Sequence, residues 1–248
     1  MDTATATALY ARKTAGFDER VESARHRLAY AAATHRGRIV QASSLGAEDQ
    51  VLTDLIARNR LPIAVATLDT GMLHSETLVL IDDIRERYDI RVERYRPVNE
   101  AVISFVGRHG KDAMRQSVEL RKACCAMRKV EPLGRMLAGR TAWITGLRRE
   151  QSSERAEVEF ESTDDAGRTK VSPLADWSWA DVWHYLDVNK VPYNALHDRF
   201  FPSIGCSPCT RAVAVGEDFR AGRWWWEQGV KECGLHVAAP ASAVGAPA

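Results

Sequence analysis

The chain has 248 residues, of which 45% are hydrophobic and 27% are charged, and its formal net charge is +1. This size and composition predict one large α/β domain or two small ones. So small a charge argues against nucleic acid or a membrane surface as a partner, and local arginines and lysines must hold any anionic ligand. The sequence has neither an apolar run long enough to cross a bilayer nor the apolar region of a signal peptide. We therefore expect a cytoplasmic protein.

Hydrophobic periodicity predicts strands and helices that alternate along the chain. The strands are predicted at 39–43, 63–68, 90–95 and 141–145, and the helices at 18–34, 51–58, 74–88, 98–106, 117–137 and 179–189. Repeated strand-helix-strand units imply a mostly parallel sheet with helices on both faces. We interpret 162–170 as a charged surface turn and 238–248, which carries no charge, as a disordered tail.

Three polar turns follow predicted strands, and ligands of parallel sheets bind at those carboxyl ends. The turn 43–49 opens a helix whose N-terminus favours a phosphate or sulfate, although a simple capped helix start would use the same residue types. The turn 69–71 is interpreted as a nucleotide contact or as an Asx-type turn. Arg148 and Arg149 are suited to bidentate capture of a phosphate or sulfate, and a solvated surface run is the alternative.

The five cysteines fall into two close pairs and one residue near the C-terminus. Cys124 and Cys125 are adjacent, Cys206 and Cys209 form a Cys-x-x-Cys, and Cys233 stands apart. Disulfides are disfavoured in a reducing compartment, and adjacent cysteines would form a strained bridge. Two pairs can supply four thiolates to an iron–sulfur cluster or to zinc, and they can also be plain buried thiols. The spacing alone does not decide between the cluster and zinc.

Six segments together resemble the assimilatory adenylyl-sulfate reductases of the phosphoadenylyl-sulfate reductase family. They are Ser43-Ser44-Leu45-Gly46-Ala47-Glu48-Asp49, Leu68-Asp69-Thr70-Gly71, Arg121-Lys122-Ala123-Cys124-Cys125 with Arg128 and Lys129, Gly146-Leu147-Arg148-Arg149-Glu150-Gln151-Ser152, Gly205-Cys206-Ser207-Pro208-Cys209-Thr210 and Lys231-Glu232-Cys233-Gly234-Leu235-His236. The resemblance implies a single α/β domain of the Rossmann-like adenine-nucleotide hydrolase type over residues 1–237. Within it, about 210–237 would form a mobile catalytic segment.

The resemblance also implies roles for individual residues. The paired cysteines would hold a [4Fe-4S] cluster, in the family branch that prefers adenosine 5′-phosphosulfate (APS). The implied substrate-binding residues are Ser43, Ser44, Gly46, Glu48, Asp49, Leu68, Asp69, Thr70, Gly71, Arg148, Arg149, Arg220 and Arg223. Lys129, one helical turn after Cys125, would lie between cluster and substrate, with Arg128 a weaker candidate. An amphipathic helix with packed tryptophans is the alternative reading of Arg220 and Arg223.

Cys233 would be the nucleophile, although a lone cysteine beside a disordered tail can also be inert. His236 would either activate or orient this thiol, or only hydrogen-bond to backbone. A thiolate attack on the sulfur of APS would expel AMP and leave an S-sulfocysteine. Thioredoxin, or a glutaredoxin-like reductant, would then release sulfite by thiol–disulfide exchange. The resemblance further implies a homo-oligomer.

Three other functions stay open at this point. The chain could reduce the 3′-phosphorylated nucleotide, or it could be a non-catalytic iron–sulfur redox sensor that binds nucleotides. It could also be a nucleotide transferase such as a tRNA-thiolating enzyme. That last class usually has an SGGxDS-like loop, and the turn 43–49 departs from this pattern.

Overall fold

A six-stranded sheet is the centre of the computed structural model, which describes residues 5–227. The strands are β1 Ile39–Ser43, β2 Ala64–Leu68, β3 Glu93–Tyr95, β4 Ala142–Ile144, β5 Glu161–Thr163 and β6 Thr169–Val171. Their order is β3-β2-β1-β4-β6-β5, and neighbouring strands are parallel except for the pair of β5 and β6. The predicted mostly parallel α/β sheet is confirmed.

The segment 162–170, predicted to be a surface turn, is instead a hairpin formed by β5 and β6 at the edge of the sheet. The carboxylate of Asp164 accepts hydrogen bonds from the backbone N–H groups of Ala166 at 3.0 Å and Arg168 at 2.9 Å, which closes the turn. β5 is exposed along its whole length. Charged residues discourage further pairing at an exposed edge strand, so the charge that favoured a turn is also compatible with this hairpin.

Helices and short 3₁₀ turns connect the strands. The α-helices are α1 Ala6–Tyr10, α2 Phe17–Thr34, α3 Ala47–Arg58, α4 Ser75–Tyr88, α5 Asn99–His109, α6 Val118–Cys125, α7 Glu131–Leu137 and α8 Trp179–Val188. α8 begins with a capping box, in which Ser178 Oγ accepts from the N–H of Asp181 at 3.0 Å and Asp181 Oδ2 accepts from the N–H of Ser178 at 3.2 Å. Between residues 5 and 227, the helices are too short or too polar to cross a membrane.

The helix predicted over 117–137 is interrupted in its middle. A π-helical turn, Ala126–Val130, lies between α6 and α7. Pro132 in the first turn of α7 has no N–H to bond the carbonyl four residues earlier, which weakens the α-helical pattern at this point. π turns occur frequently at functional sites. This one follows the pair Cys124-Cys125 directly.

Helices cover both faces of the sheet, as predicted. On one face, a cluster formed largely by α2, α3 and α8 packs on strand residues such as Ile39 and Ile144, and α4 packs on Val65. On the opposite face, Met136 and Leu137 of α7 pack against strand residues of β1, β2 and β4. Because the strand order reverses between β1 and β4, the carboxyl ends of these strands form a crevice.

Candidate active site

A cavity of about 200 Å³ opens at the carboxyl ends of β1, β2 and β4. Part of its wall is apolar, including Leu68, Met136 and Trp143, and polar groups from the strand ends and neighbouring loops face the rest. The predicted site residues that line it are Ser43, Ser44, Gly46, Glu48, Asp49, Leu68, Thr70, Lys129, Cys206, Arg220 and Arg223. An apolar cavity with a few convergent polar groups is the usual form of a small-molecule site.

The loop between β1 and α3 is held in a strained conformation. Leu45 is buried and has a left-handed backbone with φ of 62°, a conformation that costs an ordinary residue energy and is concentrated at functional sites. Asp49 Oδ2 accepts hydrogen bonds from both the N–H and the hydroxyl of Ser44, each at 2.6 Å. The Asp49 carboxylate therefore uses two donors that the sequence had suggested for an anionic ligand.

A glycine in the loop after β4 makes room for Asp49. A Cβ atom on Gly146 would lie 2.7 Å from Asp49 Oδ1 and 2.9 Å from Glu48 Cβ. Both contacts are too short for any larger residue at this position. The turns that follow β1 and β4 therefore pack directly on each other at the base of the cavity.

Asp49 should make the stability of the protein depend on pH. Burial raises the pKa of Asp49 to about 6, although hydrogen bonds from Ser44 favour the charged form. The unfolded pKa is about 3.9, so ionisation costs folding free energy increasingly as the pH rises from about 4 to about 6, and the full cost remains above that. Between pH 4.5 and pH 8, the free energy of unfolding of Asp49→Asn should therefore rise by about 2 kcal/mol relative to that of the parent chain. Urea unfolding of both chains at each pH tests this, and a pH-independent difference would contradict it.

Arg148 and Arg149 do not line the cavity. Arg148 is buried and contacts Glu48 Oε1 through Nε at 3.0 Å and Nη2 at 2.9 Å, and its Nη1 donates to the carbonyl of Trp177 at 3.2 Å. Burial alone would raise the pKa of Glu48, but the Arg148 guanidinium and the Gln151 amide hold it below its usual range. Arg148 thus supports the cavity wall by fixing Glu48.

Arg149 is exposed and donates from Nε to the carbonyl of Val158 at 2.9 Å. Asp69 and Gly71 also lie outside the cavity lining. The Asp69 carboxylate accepts hydrogen bonds from Arg94 at 2.7 Å and Arg96 at 2.8 Å. It further accepts from the N–H of Gly71 at 3.2 Å, which is the Asx-type turn considered as an alternative.

Four basic side chains reach the cavity from separate parts of the chain: Lys129, Arg155, Arg220 and Arg223. Their convergence favours an anionic ligand. The sequence did not single out Arg155, which lies in a 3₁₀ turn and donates to Gln151 Oε1 at 2.6 Å. Gln151 belongs to a segment that carries the family resemblance but was not a predicted site residue, and its amide donates to Glu48 at 2.9 Å. This contact joins positions 103 residues apart, so local spacing does not reveal it.

The four paired cysteines meet in a second, smaller cavity beside the first. Cys124, Cys125, Cys206 and Cys209 are all buried and line this cavity together with Met72, Met114, Arg121, Arg128, Lys129 and Trp224. Lys129 and Cys206 line both cavities, and Thr70 Oγ1 lies 3.3 Å from Cys206 Sγ. Arg128 donates from Nη1 to the carbonyl of Thr70 at 2.7 Å. The larger cavity and the cysteine cavity therefore share a wall.

The chemistry of this cysteine set fits a positively charged inorganic group. Burial raises the pKa of Cys124, partly opposed by Arg128, and burial together with the neighbouring thiols raises the pKa of Cys209 to about 12. Four thiolates so close together need cationic compensation. The four thiols line one common space, as the thiolate ligands of an iron–sulfur cluster or of zinc would.

The first part of the predicted mobile segment packs on both cavities. Arg223 Nη1 donates to Ser203 Oγ at 3.2 Å, and a Cβ atom on Gly205 would lie 2.6 Å from the Arg223 guanidinium. Trp224 is buried, and its backbone N–H donates to the carbonyl of Cys209 at 3.1 Å. Residues 211–227 form turns and not the amphipathic helix considered as an alternative.

Glu227 ends the described part of this segment. Its Oε1 lies 2.6 Å from Arg121 Nε, and both side chains are buried. Mobility of the segment remains a prediction. The two other predicted catalytic residues, Cys233 and His236, lie outside the described residues.

Comparison with known proteins gives a consistent result. The family model of the phosphoadenosine phosphosulfate reductase domain matches residues 38–212. Adenosine 5′-phosphosulfate reductase of Allochromatium vinosum is 56% identical over 200 residues, which are 80% of this chain and 78% of the relative. The reductase of the same name from Burkholderia cepacia is 53% identical over 239 residues, 96% of this chain and 94% of the relative.

Solved structures agree with this result. The phosphoadenylyl-sulfate reductase of Candida auris, in a phosphate complex, has a TM-score of 0.64 at 25% identity and covers 79% of this chain and 98% of its own. An FMN adenylyltransferase of Candida glabrata, with a TM-score of 0.54 and 16% identity over 82% of this chain and 68% of its own, shares the fold alone. The chain therefore belongs to the phosphoadenosine phosphosulfate reductase family and is an oxidoreductase that acts on sulfur.

Proposed function

We propose that the chain reduces APS to sulfite and AMP with thioredoxin, or a glutaredoxin-like protein, as the reductant. The wall shared by the two cavities carries this proposal, since Lys129 and Cys206 belong to both. An anion bound by the basic side chains of the larger cavity would lie close to the cysteine set. The relatives named adenosine 5′-phosphosulfate reductase support the same substrate.

We further propose that APS is preferred over its 3′-phosphorylated analogue, because the relatives at 56% and 53% identity are both named adenosine 5′-phosphosulfate reductase.

The reaction follows from nucleophilic displacement. The thiolate of Cys233 forms a bond to the sulfur of APS, and the bond from that sulfur to the bridging oxygen breaks, so that AMP leaves with the oxygen and the electron pair. Basic residues such as Arg155, Arg220 and Arg223 would hold the phosphosulfate and stabilise charge on the leaving phosphate. Lys129 would stabilise the same charge from the wall that the larger cavity shares with the cysteine cavity.

A dithiol reductant completes the turnover. A thiolate of thioredoxin attacks the Cys233 sulfur, sulfite leaves, and the second thioredoxin thiol resolves the mixed disulfide. The dithiol thus supplies both electrons. These steps require thiols that remain reduced between turnovers, which fits the cytoplasmic location that we propose.

A [4Fe-4S] cluster fits the four paired cysteines. The four buried thiols line one common cavity and would be the ligands of the cluster. When bound, the cluster would supply a charged centre whose electrostatic effect reaches the shared wall. Arg128 would balance part of the negative charge of the thiolates beside Cys124, and Thr70 would donate a hydrogen bond to the Cys206 sulfur.

The first test is intact-protein mass with peptide mapping, after exposure of anaerobically purified protein to APS or to the 3′-phosphorylated analogue, without reductant. We expect a sulfonate adduct on Cys233 from APS alone. Equal adducts from both nucleotides would contradict the proposed selectivity. If neither nucleotide gives an adduct while the cluster is intact, the catalytic proposal fails, and a nucleotide-binding redox sensor would explain the site better.

A further inference from the structure

His197 is held rigidly in the wall of the larger cavity. It lies in the 3₁₀ helix Ala195–Arg199, which Asn194 caps by accepting from the N–H of Leu196 at 3.0 Å. Asn194 also donates to Thr77 Oγ1 at 2.8 Å, which fixes the helix to α4. The imidazole ring packs edge-on against Trp183, with ring centroids 5.2 Å apart. Its position is therefore determined before any ligand binds.

The ring of His197 lacks hydrogen-bond partners in the part of the chain that the structure describes. The residue is 4% exposed, and neither ring nitrogen makes a hydrogen bond within residues 5–227. The backbone of Phe201 lies near the ring but does not meet hydrogen-bond geometry. Most buried polar groups in folded proteins are paired, so an unpaired group in a binding cavity points to a ligand.

A neutral imidazole can offer both a donor and an acceptor. Burial lowers the pKa of His197 to about 4, against the opposing effect of the neighbouring Glu48 carboxylate. At neutral pH one ring nitrogen therefore carries a proton and the other a lone pair. This distinguishes His197 from the arginines and the lysine of the cavity, which are donors only.

We propose that a ring nitrogen of His197 hydrogen-bonds to the AMP portion of the bound nucleotide. The proposal rests on the proposed function, since it takes an adenine nucleotide as the ligand of the larger cavity. A nucleotide would give the ring the partner that residues 5–227 do not provide. Because the ring is already fixed, little side-chain entropy is lost on binding.

Isothermal titration of AMP into the full chain tests the contact without turnover, reductant or a covalent step. His197→Phe keeps a flat ring and removes both nitrogens, so we expect the Kd for AMP to rise about ten-fold. His197→Gln restores one donor and one acceptor and should recover part of that loss. As a control, His184→Phe changes a histidine of α8 that packs on Phe17 outside the cavity lining, and it should leave the Kd unchanged.

Thermal unfolding of each variant separates binding from folding. A His197→Phe chain that stays folded and binds AMP with the parental Kd would overturn the inference. If His184→Phe raised the Kd for AMP to the same extent, the inference would also be overturned, because the loss would then not be specific to the ring of His197. If the parent chain itself binds no AMP, the proposed function fails first, so the two failures are distinguishable.

Discussion

Cys233→Ser is expected to form no measurable sulfite from APS while still binding AMP. A serine hydroxyl has a far higher pKa than a thiol and is a poor nucleophile toward sulfur, so the covalent step loses its attacking group. The expected loss of turnover is on the order of 10⁴-fold or more, because no other route remains for that step. Sulfite release in the presence of thioredoxin is the measurement.

Two controls accompany this variant. Titration of AMP should give the parental Kd, and the visible absorbance of the anaerobically purified protein should be unchanged, since the four paired cysteines are the proposed cluster ligands and Cys233 is not one of them. Turnover at more than a few per cent of the parental rate would show that another group performs the attack. The S-sulfocysteine proposal would then be wrong.

Glu227→Gln is expected to lower the free energy of unfolding by about 2 kcal/mol, because it replaces a charged hydrogen-bond partner of a buried cation by a neutral one. Arg121 and Glu227 are joined at 2.6 Å with side chains only 2% and 8% exposed. Arg121 also stacks on Trp224 at 4.5 Å, so the pair fastens residues 211–227 to α6. Urea unfolding monitored by tryptophan fluorescence measures the change.

Glu131→Gln is the matched control. Glu131 and Arg135 also lie 2.6 Å apart, but they form an i,i+4 pair in α7 with side chains 44% and 45% exposed. A pair this exposed contributes well under about 1 kcal/mol. If the two substitutions destabilised the chain equally, burial of the Arg121 pair would not matter, and residues 211–227 would not depend on it.

The sequence predicted most of the sheet because its inner strands are short apolar runs between polar turns. β1, β2 and β4 lie within two residues of their predicted ends. The hairpin of β5 and β6 was missed because exposed edge strands lack that apolar signal. The π turn was missed because hydrophobic periodicity does not register one wide turn within a helix, although Pro132 marks the place.

The site shows the same division between local and distant information. Polar turns at strand ends predicted the part of the cavity lining that follows β1 and β2, since the ends of parallel strands meet at one edge of the sheet. Arg148 was predicted to face a ligand, but its partner Glu48 lies 100 positions earlier in the chain. Asp69 is likewise paired with Arg94 and Arg96, 25 and 27 positions later. Spacing within a motif cannot reveal such pairings.

The π turn determines the angle about the helix axis between the residues of α6 that line the smaller cavity and those of α7 that line the larger one. An α-helix advances 100° per residue, and the wider turn shifts the angular position of every residue after it relative to those before. One continuous helical segment therefore directs Cys124 and Cys125 to the smaller cavity, and Leu133 and Met136 to the larger one. Lys129 lies within the wide turn itself, at the boundary of both. The relative position of the two cavity linings is thus fixed by helical backbone and does not depend on a loop.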